Sequence, residues 1–82
     1  MADMEDLWAD RAKGILKAEL KRRNLTYADL AKRLTDAGQP YDERNLRNKV
    51  ARGSFTAAFM LLCLSVVGCH AVRLDDFAEA AE

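Results

Sequence analysis

The chain has 82 residues, half of them hydrophobic, and its 13 basic side chains equal its 13 acidic ones in number. This length allows one small domain with a modest core and leaves little room for a deep substrate pocket. The hydrophobic half excludes a disordered chain, and the lack of an internal repeat excludes a solenoid. The first ten residues are acidic and show no secretory signal, so we expect a reduced, cytoplasmic protein.

The neutral total conceals a segregated charge. Residues 1–10 contain four acids and no base, residues 74–82 contain four acids and no base, and residues 11–73 hold all 13 bases against five acids. A basic middle segment of this kind would attract phosphate. The plainer alternative is that these charges only cover solvated faces.

Helical patterns occupy the first half of the chain. Apolar residues recur at steps of three and four over 7–23, which is the period of one helix face. Asn24 suits the left-handed position that ends a helix. Thr26 with Asp29 three residues later is the arrangement of a capping box, so it predicts a second helix, which ends at Gly38.

The second half of the chain predicts two more helices of different character. The segment 43–52 is basic and has Asp42 in front of it as an N-cap, whereas 55–67 is apolar and follows Ser54 or Thr56 as the cap. The apolar segment is shorter than the roughly 20 residues that cross a bilayer. We therefore expect a buried central helix and no membrane span.

Together these patterns predict an all-α fold, a compact bundle of four to five helices. We expect a single domain over 1–82, with frayed acidic ends at 1–6 and 80–82. Residues 70–74 read as an extended connector, and 76–81 as a short fifth helix.

The third helix carries side chains that suit a DNA groove. Leu46 and Val50 lie close together on a helical projection and mark its buried side. A polar helix with an apolar back, preceded by a second short helix, is the layout of a helix-turn-helix module. Arginine can read guanine and asparagine can read adenine. The opposite side gathers Arg44, Asn45, Asn48 and Arg52, with Arg47 and Lys49 on the flanks. A solvated basic face or a protein-docking face would carry similar residues.

Two strings resemble a known family. LTYADLAKRL at 25–34 and NLRNKVARGSFTAAFMLLCLSVVG at 45–68 resemble the helix-turn-helix domain of phage-repressor-like transcription regulators. NLRNKVARGSF is also similar to a small bacterial family of domains of unknown function. The resemblance spans roughly 7–74 and implies that Thr26 and Tyr27 lie near phosphate. The DNA-binding residues expected from pattern and resemblance are Thr26, Tyr27, Arg44, Asn45, Arg47, Asn48, Lys49, Arg52 and Ser54.

Other conspicuous residues have structural explanations. Trp8 shares the helical spacing of the first apolar stripe and is expected in the core, with an anchor for a partner as the alternative. The basic run 21–23 suits the negative end of a helix dipole, with phosphate contact as the alternative. Cys63, Cys69 and His70 lack the paired spacing of a zinc site. We therefore expect no metal, no cofactor and no enzymatic activity.

The sequence thus predicts a DNA-binding transcription regulator that places the helix over 43–52 in the major groove of double-stranded DNA. A dimer is expected through the apolar helix 55–67, because one small module buries little surface on DNA. The expected dimer contacts are Met60, Leu61, Leu64 and Val67. The alternative is a protein-interaction adaptor that binds no DNA, and an antitoxin or phage-type switch would add a protein partner to DNA binding.

Overall fold

The computed structural model describes residues 3–74. Its helices are α1 (Met4–Arg22), α2 (Tyr27–Asp36), α3 (Glu43–Arg52) and α4 (Ala57–Val66). No strand occurs within 3–74, so the predicted all-α class is confirmed as a compact globule of four helices. The expected fifth helix over 76–81 and the frayed end at 80–82 lie outside the described residues.

Each helix begins at a polar side chain that caps its first backbone amides. The capping box of α2 is formed as predicted: the hydroxyl of Thr26 accepts from the amide of Asp29 at 3.1 Å, and the carboxylate of Asp29 accepts from the amide of Thr26 at 2.8 Å. Of the two caps expected for α4, Thr56 is the one used. Asp3 caps α1, and residues 4–6, for which the sequence predicts a frayed end, belong to this helix. That cap could not be recognised from the apolar stripe, which starts later.

The core lies where α3 and α4 each pack against both α1 and α2. Leu46 and Val50 are fully buried, as the projection of α3 predicted. The remaining core residues are Leu16, Leu20, Leu30, Ala31, Leu34, Phe59, Cys63, Leu64 and Val67.

The burial of α4 corrects the expected dimer surface. Leu64 and Val67 are 5% and 4% exposed, so they belong to the chain's own core and do not form a free face. Of the four expected dimer contacts, Leu61 is 67% exposed and lies at the surface, and Met60 is half-buried. The physical reason is that α4 has two neighbouring helices, so a helix that is apolar almost all round fits its place. None of the helices within 3–74 is both long and apolar enough to cross a membrane.

Trp8 is a second correction, because its side chain is 45% exposed. At 100° per residue it lies about 80° around α1 from Leu16 and about 120° from Leu20, the residues that face the core. It is therefore at the edge of the buried face. The guanidinium of Arg11 stands 4.7 Å from the centre of the indole ring.

The turn after α3 fixes that helix on α1. Gly53 has φ of 72°, and a Cβ atom added there would lie 2.8 Å from the carbonyl oxygen of Ala9. Close by, the Lys13 ammonium donates to the carbonyl of Ala51 at 3.3 Å. The end of α3 thus rests directly on the backbone of α1, and this close contact requires a residue without a side chain at position 53.

Candidate nucleic-acid interface

The outer face of α3 is polar and exposed. Arg44, Asn48 and Arg52 are all exposed, while Leu46 and Val50 are buried. At 100° per residue the three polar residues fall within about 80° of one another, opposite the buried pair. Sequence reasoning therefore identified both faces of this helix correctly. Side chains of these types can donate to phosphate oxygens and to the edges of bases.

The start of α3 is fixed by its cap. Asp42 accepts from the backbone amide of Asn45 at 2.7 Å. Its other carboxylate oxygen accepts from the side-chain amide of Asn45 at 2.9 Å. Asn45 is thus exposed, and this contact uses one hydrogen of its side-chain amide, leaving the second hydrogen and the amide oxygen for other partners.

Arg47 connects α3 to the start of α2. Its guanidinium forms an ion pair with Glu43 one turn earlier and stands 5.7 Å from the centre of the Tyr27 ring. Tyr27 packs against the core, and burial raises the pKa of its phenol, although the charge of Arg47 acts in the opposite direction. The expected site residues Tyr27 and Arg47 are therefore neighbours, one half-buried and the other exposed.

A groove of about 540 Å³ opens beside this contact. Two lysines of α1, Lys17 and Lys21, are exposed and line it together with Arg47. Lys17 was missed in the sequence reasoning, although its spacing of four from Lys13 and from Lys21 off the apolar stripe marks one face of α1. The complete lining is Lys17, Leu20, Lys21, Asn24, Leu25, Thr26, Tyr27, Glu43 and Arg47.

Thr26 lies in the groove, but its polar atoms serve the cap. Its amide and its hydroxyl both donate to one carboxylate oxygen of Asp29, at 2.8 and 3.0 Å. These hydrogen bonds, with the backbone amide first, lower the pKa of Asp29. A contact between Thr26 and phosphate would have to share these atoms with the cap.

Lys49 and Ser54, two further expected residues, also lie away from the outer face of α3. The ammonium of Lys49 stands 5.0 Å from the centre of the Phe59 ring and 5.9 Å from that of Tyr41, on the side of α3 that faces α4. Ser54 is exposed beyond the end of α3, where it and Arg52 line a second groove of about 520 Å³. That groove also contains Glu5 and Asp6 from the start of α1.

Two of the three basic side chains in the run 21–23, at the end of α1, form ion pairs with Glu19. Glu19 is 5% exposed and accepts from Arg22 at 2.7 Å and from Arg23. Burial alone would raise the pKa of Glu19, but the hydrogen bond from Arg23 and the charges of both arginines lower it. Arg22 and Arg23 are therefore paired with Glu19 at the end of α1, which agrees with the structural explanation of the basic run 21–23. Lys21 is the residue of this run that lines the groove.

Within 3–74, no group of three or more His, Cys, Asp or Glu side chains is placed to hold a metal ion. Cys63 is buried in the core, and burial raises the pKa of its thiol to about 12. The thiol is therefore protonated at neutral pH and acts as a small apolar core group.

These features define a small all-α domain with one exposed, basic helix. The chain belongs to the family described as "Domain of unknown function (DUF6471)", which matches residues 8–72. The expected membership in a family of domains of unknown function is thereby confirmed, whereas nothing in the comparisons links the chain to the phage-repressor domains. No curated protein and no solved structure matches the chain.

Proposed function

We propose that this domain binds double-stranded DNA, with α3 in the major groove, and acts as a transcription regulator. The observation that carries the proposal is the division of α3 into two faces. Leu46 and Val50 fasten the helix to the domain, and the opposite face presents exposed guanidinium and amide groups. An α-helix fits the major groove, and these groups suit its base edges.

The surroundings of α3 support the same orientation. Arg47, Lys17 and Lys21 line the groove between the starts of α2 and α3 and the second half of α1. Positive side chains beside a groove-reading helix would contact the DNA backbone and hold the helix in register. Glu43 also lines this groove and neutralises part of the charge of Arg47.

The proposal is tested by fluorescence anisotropy of labelled duplex DNA of random sequence, across a series of salt concentrations. The wild type is compared with Arg44→Ala/Arg52→Ala. The matched control, Lys32→Ala/Arg73→Ala, also removes two exposed positive charges, but both lie outside α3. Circular dichroism of each variant verifies that the helices are retained.

Binding by α3 predicts that log K falls linearly with log salt, with a slope of about −0.9 for each phosphate neutralised. The α3 double variant should weaken binding by about tenfold or more and flatten this slope, because each lost contact with DNA costs about 1–3 kcal/mol. The control should bind like the wild type. No binding at low salt, or equal losses in the two double variants, refutes the assignment of α3.

A protein-interaction adaptor is the second candidate, and one observation favours it. Met4, Leu7 and Trp8 near the start of α1 are 67%, 39% and 45% exposed, although they are large and apolar. Exposed apolar clusters mark interaction sites more often than isolated residues do. Contact through such a surface would depend little on salt, so the same titration separates the two candidates.

A further inference from the structure

The face of α1 that points away from the core is not covered by any other part of the chain between residues 3 and 74. At 100° per residue, Met4, Leu7, Gly14 and Ala18 lie on the side opposite Leu16 and Leu20. All four are exposed, Met4 at 67% and Leu7 at 39%. Their spacing of 3, 7 and 4 residues keeps them on one stripe along the helix.

Within residues 3–74, the structure offers no reason for a glycine at position 14 of this stripe. It lies in the interior of α1, where glycine costs roughly 0.5–1 kcal/mol relative to alanine. A Cβ atom at this position would have no atom of the described residues within 4 Å. Neither a close approach within 3–74 nor a turn therefore requires a glycine here, whereas the approach of another helix would.

The charges beside the stripe are arranged with opposite signs at its two ends. Asp10 lies along one edge of the first half of α1, with the cap Asp3 just before the helix, and Lys17 and Lys21 continue the same edge in the second half. All four side chains are exposed. A helix with acids in one half and bases in the other along a single edge is complementary to its own antiparallel copy.

We propose that the outer face of α1 binds the same face of a second copy of this chain, with the two helices antiparallel. Crossing near residues 11–14 places Leu7 of one copy over Ala18 of the second copy, and Arg11 over Gly14. With a rise of about 1.5 Å per residue, Asp3 then lies within about 3 Å along the axis of Lys21 of the second copy, and Asp10 within about 3 Å of Lys17.

The two kinds of contact have different roles in this dimer. Leu7 and Met4 supply apolar surface, and Gly14 lets the helix backbones approach. Exposed ion pairs add little affinity, but they select the antiparallel orientation and disfavour other partners. Asp10 has an exposed carboxylate that forms an ion pair with the half-buried Lys13 at 3.7 Å, and in the dimer it would exchange this contact for the one between copies. The symmetric arrangement repeats each contact twice.

The dimer goes beyond the proposed DNA binding and stands without it. Lys17 and Lys21 also line the groove beside α3, so these two lysines would serve either the second copy or a phosphate. Arg44, Asn48 and Arg52 on the outer face of α3 do not line that groove. Self-association is therefore measured in the absence of nucleic acid.

The test uses sedimentation equilibrium of the full chain over a range of concentrations, with Asp10→Lys and Lys17→Glu studied separately and mixed. Each variant alone places like charges opposite one another and should self-associate about tenfold more weakly than the wild type. An equal mixture restores opposite charges at both places and should recover dimers. A wild type that stays monomeric throughout, or a mixture that stays as weak as its components, overturns the proposal.

Gly14→Gln separates dimer contact from folding. It should raise the thermal stability of the monomer, because glutamine is the better helix former, and still weaken self-association. Leu61→Glu, on the exposed side of α4, is the matched control and should leave the dimer unchanged. A dimer that tolerates Gly14→Gln but is lost with Leu61→Glu would place the interface on α4 and refute the assignment to α1.

Discussion

A series of three glycine-to-alanine substitutions measures how closely α3 rests on α1. Gly53 and Gly68 both have left-handed backbones, with φ of 72° and 83°. They differ in their surroundings, because a Cβ at Gly53 would lie 2.8 Å from the carbonyl oxygen of Ala9, whereas a Cβ at Gly68 would have no neighbour within 4 Å in the part of the chain that the structure describes. Gly14 has neither the left-handed backbone nor the contact.

The expected order of stability follows from these differences. Gly68→Ala should cost about 1–2 kcal/mol for the left-handed backbone alone. Gly53→Ala carries the same cost plus about 1–3 kcal/mol for displacing the Ala9 backbone. Gly14→Ala should stabilise the fold by about 0.5–1 kcal/mol.

Thermal unfolding followed by circular dichroism resolves these steps, since 1 kcal/mol shifts Tm by about 4–8 °C in a domain of this size. The measurements are made at low concentration, where self-association does not contribute. If Gly53→Ala is no less stable than Gly68→Ala, α3 does not touch α1 at Ala9. If Gly14→Ala is destabilising, the exposure of that face of α1 is wrong.

Three further predictions concern the ion pairs and caps of the site. The pKa of Glu19 is lowered in the folded chain, so the stabilisation that this carboxylate gives is present above its ordinary pKa of about 4.3 and is lost as the pH falls through the lowered value. The Tm difference between the wild type and Glu19→Gln should therefore shrink on acidification. A difference that stays constant with pH would contradict this. Glu43→Gln removes the ion-pair partner of Arg47 and should tighten DNA binding a few-fold in the anisotropy titration, while a weaker complex would show that the pair positions Arg47 for binding. Thr26→Ala should cost about 1 kcal/mol of stability through the lost cap, and Thr26→Asn, which keeps a capping oxygen, should restore most of it. If DNA affinity falls with Thr26→Ala and recovers with Thr26→Asn in parallel with stability, Thr26 acts through the cap alone.

The helices could be predicted from the sequence because their ends are decided locally. A capping box needs only Thr26 and Asp29, and the left-handed positions at Asn24 and Gly53 need only residues that tolerate them. The faces of α3 were equally accessible, because Leu46 and Val50 are its two large apolar residues and leave one choice for the buried side.

Where the sequence offered no such contrast, prediction failed. A helix that is apolar on nearly every side, as α4 is, does not indicate which of its residues meet the core, so Leu64 and Val67 were placed on the wrong surface. Trp8 has the spacing of a core residue, but its burial depends on how far the neighbouring helices extend along α1. Such distances between elements are set by tertiary packing and not by local pattern.

A total charge of zero does not weigh against a DNA-binding surface in this chain, because many of the acids are used elsewhere. Glu19 is buried between Arg22 and Arg23, and Asp29 and Asp42 serve as helix caps. On α3 itself Glu43 is the one acid, and it is paired with Arg47, whereas Arg44 forms no ion pair with another residue in 3–74. The acids at the start of α1 approach α3 at Arg52, where Glu5 and Asp6 line the same groove. Acids therefore neutralise part of the positive charge at both ends of α3, because Asp42 and Glu43 lie at its start and Glu5 and Asp6 approach its last turn. If the domain binds DNA, Arg44 and Arg52 both contribute to the electrostatic attraction, and single substitutions of the two measure their separate shares.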